Sequence, residues 1–100
     1  MSDSIITILC PRNLEEQLLD ALLITPDVAV FTSATVAAHG VDKDRMSASE
    51  QVFGRAVMTQ VQILCGSQSK DALLSTLKNT FARTGMRYWI TAVSGQGEFA

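Results

Sequence analysis

An α+β fold, with a four-stranded antiparallel sheet and two helices on one face, is what this sequence predicts. Three observations predict it. Four short runs are rich in β-branched residues, as strands are. Two leucine-rich segments repeat their apolar residues at helical spacing. These segments fall after the first run and after the third, so the order is βαββαβ. Two right-handed βαβ-like halves of that kind close into the ferredoxin-like sandwich, with the first and third strands central.

Each element has its own warrant. The first strand is "SIITIL", Ser4 to Leu9, rich in Ile and Thr. "CPRNLEEQLLDALLIT" follows as a helix: Asn13 with Glu16 three positions on is a capping-box signature. Its apolar stripe comprises Leu14, Leu18 and Leu22 with Leu19 and Leu23, and Pro26 stops it. "DVAVFTSATVAA" is the second strand. "RAVMTQVQILC" is the third, with Val57, Val61 and Ile63 on one face and Met58, Gln60 and Gln62 on the other.

The second helix lies within "GSQSKDALLSTLKNTFARTG". Ser67 or Ser69 suits its cap, Leu73, Leu74, Leu77 and Phe81 form its stripe, and Gly85 suits a left-handed position past its end. "MRYWITAV" is the last strand, and it places Tyr88 and Trp89 on opposite faces. The expected organisation is a single domain over residues 1–93, a polar loop over 39–54 between the second and third strands, and a flexible tail over 94–100.

Two helices cover one side of a sheet. A side left to water normally carries charge. Here the second strand has no ionised residue from Val28 to Ala38, and the third has none from Ala56 to Cys65. The uncovered positions are expected to be Phe31, Ser33, Thr35, Met58, Gln60 and Gln62. Such a surface suits burial against another copy of the chain; the plainer alternative is a monomer with a Thr- and Gln-rich wet sheet.

Composition excludes several classes. The chain has 100 residues, 47% of them hydrophobic, with a net charge of −2, so it is globular and lacks the basic face that nucleic acid or an anionic membrane requires. No apolar run approaches the roughly 20 residues that span a bilayer. "MSDS" lacks the basic and apolar parts of a secretory signal, and the expected location is cytoplasmic. Cys10 and Cys65 have no zinc-type spacing, and in a reducing compartment they are small buried thiols.

Several segments together carry a resemblance. "CPRNLEEQLLDALL", "HG" at the end of the second strand, "SEQVFGRA" and "ARTGMRYWITAV" resemble a small uncharacterised PII-like family over nearly the whole chain. Genes of that family often lie beside heavy-metal efflux systems. At greater distance the chain resembles the PII signalling proteins and CutA. Those proteins share the ferredoxin-like fold, form homotrimers around their helix-free sheet faces, and carry an effector loop between the second and third strands. The resemblance thus implies a homotrimer with a partner loop comprising Asp42, Lys43, Asp44, Arg45 and Met46, which would meet a small ligand or a protein such as an efflux component. The chain also departs from the PII pattern. Gly85 is followed at once by "MRYWI", which cuts short the glycine- and lysine-containing phosphate turn, and the loop has no tyrosine to carry uridylylation.

Chemistry-bearing residues are few. No nucleophile elbow or phosphate loop accompanies His39, so the expectation is a protein that is not an enzyme. A Cys10–His39 pair is the remaining catalytic candidate, because backbone N–H groups before the first helix can lower a thiol pKa; the alternative is a buried residue closing a strand. A metal site would draw on His39, Cys10, Asp42 and Asp44 at one end of the sheet, with Met46 near, and these ligands favour copper or zinc. Cys65 is expected at the opposite end. The other reading of His39 and "DKDR" is a strand end and a solvated loop tip.

An anion or adenine nucleotide site would draw on Arg55, Gly54, Arg83 and Arg87 across a cleft between subunits, where planar guanidinium groups suit phosphate. Arg83 is otherwise a favourable charge at a helix C-terminus, and Arg87 a solvent-facing strand residue.

Overall fold

A computed structural model of the protein describes residues 3–25, 28–40 and 55–99. In order come β1 (Asp3–Pro11), a short 3-10 turn (Arg12–Leu14), α1 (Glu15–Leu23), β2 (Val28–His39), β3 (Arg55–Cys65), α2 (Lys70–Thr80) and β4 (Arg87–Val93). The strands form one sheet in the order β2-β3-β1-β4, with each neighbouring pair antiparallel. This is the expected ferredoxin-like arrangement, with β1 and β3 central.

The core lies between the sheet and the helices. Ile6 stands opposite Ile63 and Ile8 opposite Val61, so the two central strands present one apolar floor. Leu18 and Leu22 of α1, and Leu73, Leu77 and Phe81 at α2, close over it. Each such side chain contributes about 1.5–3 kcal/mol when buried. The floor is continuous because period-2 alternation in the strands meets period-3.6 stripes in the helices.

Three local expectations are corrected. Asn13 does not cap α1: the 3-10 turn intervenes, Leu14 holds the cap position, and no side chain bonds to the free N–H groups there. Glu15 and Glu16 instead place negative charge at the helix N-terminus, where the backbone dipole favours it. Leu23 leaves the stripe and is 71% exposed, because α1 ends at that residue. The third correction concerns faces. Phe31, Ser33 and Thr35 stand opposite Ile63, Val61 and Thr59, which puts them on the helix side of the sheet. The uncovered side of β2 carries Val30, Thr32, Ala34, Val36 and Ala38. A phase difference of one residue inverts every side chain of a strand, and the pairing phase of β2 shifts between Val28 and Val30.

The second helix ends as expected. The Phe81 N–H donates to the Leu77 carbonyl, and Gly85 takes φ +80° before β4 begins. Ser69 occupies the cap position of α2, but its Oγ donates to the Gly66 carbonyl at 3.3 Å and caps no helix N–H. Pro26 and nearly all of the loop expected over 39–54 lie outside the described residues.

Thr59 tests the polar accounting of the core. It is 2% exposed, and among the described residues its Oγ1 has no hydrogen-bond partner. A buried hydroxyl without a partner costs about 1–3 kcal/mol. Thr59→Val, which keeps the shape and removes the hydroxyl, is expected to raise the urea midpoint by an amount equivalent to about 1 kcal/mol. Ile63→Ala should lower stability by about 2–5 kcal/mol in the same titration. A Thr59→Val variant less stable than the parent would show that the hydroxyl is satisfied in solution.

Candidate functional site

Two surfaces of the fold have the means to bind something. The first is the uncovered face of the sheet. Across its middle row run Trp89, Thr7, Gln62 and Thr32, from β4 to β2. The row toward the β2–β3 tip holds Arg87, Leu9, Gln60 and Ala34, and beyond it Met58 stands beside Val36. In the other direction come Thr91, Ile5, Leu64 and Val30. Among the described residues, the ionised groups at positions on this face are Asp3 and Arg87, near opposite ends of β1. Trp89 is 43% exposed and Val30 54% exposed. Ala38, Ala56 and Met58 form a small buried cluster there with Leu9 and Val36.

The second surface is a groove between α2 and β4, with a cavity of about 220 Å³. Ile8, Leu18, Leu74, Leu77 and Phe81 give it an apolar lining, while Lys78 and Arg83 bring positive charge; Arg87 borders it from a strand position whose side chain belongs to the uncovered face. Among the described residues, no acidic side chain lines it. Tyr88 projects to the helix side opposite Ile8, and Lys78 Nζ stands 5.3 Å from the centre of its ring, an attractive cation–π contact.

Arg83 adopts φ +64°, the left-handed region that favours glycine. Its position past the end of α2 accounts for the turn, since helices commonly close this way. A guanidinium there also faces the negative end of the helix dipole. The sequence offered no signal for this conformation, because arginine rarely supplies it.

The arginines fall into two groups. Arg83 lies in the groove and Arg87 at its border, whereas Arg55 pairs with His39 near the far end of the β2–β3 hairpin. Arg87 stands in the row of Gln60, and Arg55 lies five residues from Gln60 along β3, about 17 Å. A single chain therefore does not bring all three together. Gly54 lies outside the described residues.

The cysteines behave as buried thiols. Cys10 is opposite Thr59 and Cys65 opposite Ser4, so the two are six residues apart along β1, about 20 Å. Both are free and buried. Burial, with Glu15 nearby, pushes the Cys10 thiol from its ordinary value of 9.0 up to about 11. The shift runs opposite to the lowering that a helix N-terminus would give and agrees with a buried residue closing a strand: loss of water outweighs the helix N-terminus, because the intervening 3-10 turn separates Cys10 from α1. Burial also raises Cys65, with Lys70 opposing it and Asp3 adding to it.

His39 is displaced from Cys10. Cys10 shares its row with Thr59 and Thr35, and His39 lies four residues further along β2, about 13 Å. No pairing of the thiol with the imidazole follows within one chain. Among the described residues, no group of three or more His, Cys, Asp or Glu side chains could hold a metal ion. Asp42, Asp44, Lys43, Arg45 and Met46 fall outside those residues. No described helix is long and apolar enough to cross a membrane.

A raised thiol pKa has a signed consequence. Between pH 9 and about 11 the folded Cys10 keeps its proton while the unfolded one has lost it, so stability falls as pH rises through that window. Iodoacetamide at pH 8 is expected to leave Cys10 unmodified in the folded protein and to label it fully in denaturant. Rapid labelling of the native protein at pH 8, read by peptide mass, would contradict the burial account.

A family model described as "Protein of unknown function (DUF3240)" matches residues 1–100. Among solved structures, a DUF3240 family protein from Shewanella baltica OS155 superposes with a TM-score of 0.82, at 14% identity, over 100% of this chain and 99% of that one. CutA from Synechococcus elongatus PCC7942 superposes with a TM-score of 0.66 at 13% identity, over 91% of this chain and 75% of that one. No curated protein matches the chain. At these identities the structural likeness bears on the fold.

Proposed function

The chain belongs to the DUF3240 family of proteins of unknown function, and we propose that it is a non-catalytic, PII-like regulatory protein. In this reading it is a cytoplasmic homotrimer, assembled through the uncovered sheet face, that binds a small ligand or a protein partner and serves heavy-metal efflux. The observation that carries the reading is the near absence of ionised groups from that face, set against a net charge of −2 for the whole chain. Neutral Thr, Gln and Ala cost far less to remove from water than ionised groups once their hydroxyls and amides pair across the contact, and Trp89, Val30 and Leu64 gain from it. The loop over 39–54 is then the segment that meets a partner, and the residues past 93 form a tail.

A second reading concerns the ligand. Arg83 brings a guanidinium and Lys78 an ammonium to one groove that Arg87 borders, which favours an anion such as phosphate or carboxylate. An adenine nucleotide would exceed a cavity of about 220 Å³ and would draw on Arg55 and Gly54 of a neighbouring subunit. Copper or zinc, by contrast, would rest on His39 with Asp42 and Asp44, because Cys10 keeps its proton and stands rows away.

Native mass spectrometry tests the assembly. The wild-type chain of 10.8 kDa is expected at three times that mass. Gln62→Lys places a charge in the middle of the face without touching the core, and it should shift the protein to monomer at micromolar concentration. A monomeric wild type would overturn the proposal. Thermal shift with phosphate, adenine nucleotides, copper and zinc tests the ligand, since a ligand binding only the folded form must raise the midpoint. A rise with an anion that disappears in Arg83→Ala supports the groove, and no rise with any anion removes it.

A further inference from the structure

The last described residues do not settle on their own chain. Phe99 is fully exposed at 109%, and Glu98 precedes it. An exposed aromatic beside a carboxylate matches, in size and sign, the apolar groove between α2 and β4 with its Lys78 and Arg83. A cavity of about 220 Å³ is below the roughly 300–1,000 Å³ of sites for drug-sized molecules. An apolar cavity of about 150 Å³ already accepts a benzene ring. The groove therefore suits one aromatic side chain.

The chain cannot fill its own groove. Val93 pairs with Asp3 at one end of the sheet, and Gln96 Nε2 donates to Asp3 Oδ2 at 3.0 Å, which holds the tail there. The groove lies at the other end of β4, where Arg87 and Tyr88 line it. Returning from Val93 to Arg87 spans six residues of strand, about 20 Å. Three residues separate Gln96 from Phe99 and reach about 10 Å when fully extended. The hollow that does lie near the tail is wider and mixed: Ala72 and Leu73 line it together with Asp3, Thr25, Gln68, Ser69 and Thr76, and the Asp3 carboxylate there repels Glu98.

We infer that the groove between α2 and β4 receives the Glu98–Phe99 segment of a second copy of this chain. Phe99 occupies the apolar part, and the Glu98 carboxylate faces Lys78 and Arg83. The inference rests on the proposed self-association and adds a head-to-tail contact to it. In a closed ring every tail finds a groove and no groove is left over. An anionic ligand competes with Glu98 for the same cations, which couples ligand binding to release of the tail.

Paired cysteines test the contact in the full-length chain. Phe99→Cys with Leu74→Cys, mildly oxidised at pH 8, is expected to give interchain disulfides up to a covalent trimer on a non-reducing gel. The native Cys10 and Cys65 are buried and stay out of the exchange. Phe99→Cys with Thr76→Cys is the control for the near hollow; an intrachain disulfide there, with none between chains at Leu74, would overturn the inference. Native mass spectrometry of the same samples separates the two claims. An intact oligomer without the Leu74 crosslink removes the tail contact and leaves the assembly standing, whereas a monomer removes both. Glu98→Arg should slow crosslinking at least about tenfold, and Lys78→Glu with Arg83→Glu should restore it.

Discussion

Everything in this molecule follows from a mismatch between its layers: two helices can shield only one side of a four-stranded sheet. On the shielded side the physics is ordinary, with isoleucines and valines of β1 and β3 under the leucines of α1 and α2. On the other side the chain keeps β-branched, small and amide side chains and almost no charge. A solvated sheet face gains solubility and protection from edge pairing by carrying charge. Forgoing it makes sense where another protein surface replaces the water.

The same mismatch organises the periphery. The edge strands β2 and β4 are the ones that the helices cover least, and both carry exposed apolar residues, Val30 on one and Tyr88, Trp89 and Ile90 on the other. The groove at the α2 end of β4 gathers cations that no acidic lining residue among those described neutralises, and its Arg83 accepts a left-handed backbone to stand there. Cys10, which first suggests reactivity, is instead part of the shielded layer, and burial holds its proton. Binding capacity therefore sits at the margins of the sheet and on its bare face.

Much of this was legible in the residues, for identifiable reasons. The order of elements followed from alternation and helical spacing, and β3 was found at its observed bounds of Arg55–Cys65 because "RAVMTQVQILC" alternates cleanly. The neutral character of β2 was equally plain. Which residues of β2 face outward was not, since strand pairing across a long connection decides that phase and single-strand alternation does not contain it. Local capping failed as a guide at Asn13, where the tight turn after Pro11 overrode a good signature. Arg83 and Arg87 were named from sequence as anion ligands, but the apolar floor between them could not be, because Ile8, Leu18 and Leu77 come from three separate elements.

Trp89, the chain's single tryptophan, lies on the bare face beside Thr7, so its fluorescence reports directly on whether water reaches that surface. The account predicts a blue-shifted emission, poorly quenched by acrylamide at micromolar concentration, that moves to the red as dilution separates the copies. Emission at the wavelength of a solvated indole, fully quenched and unchanged from nanomolar to high micromolar concentration, would contradict it.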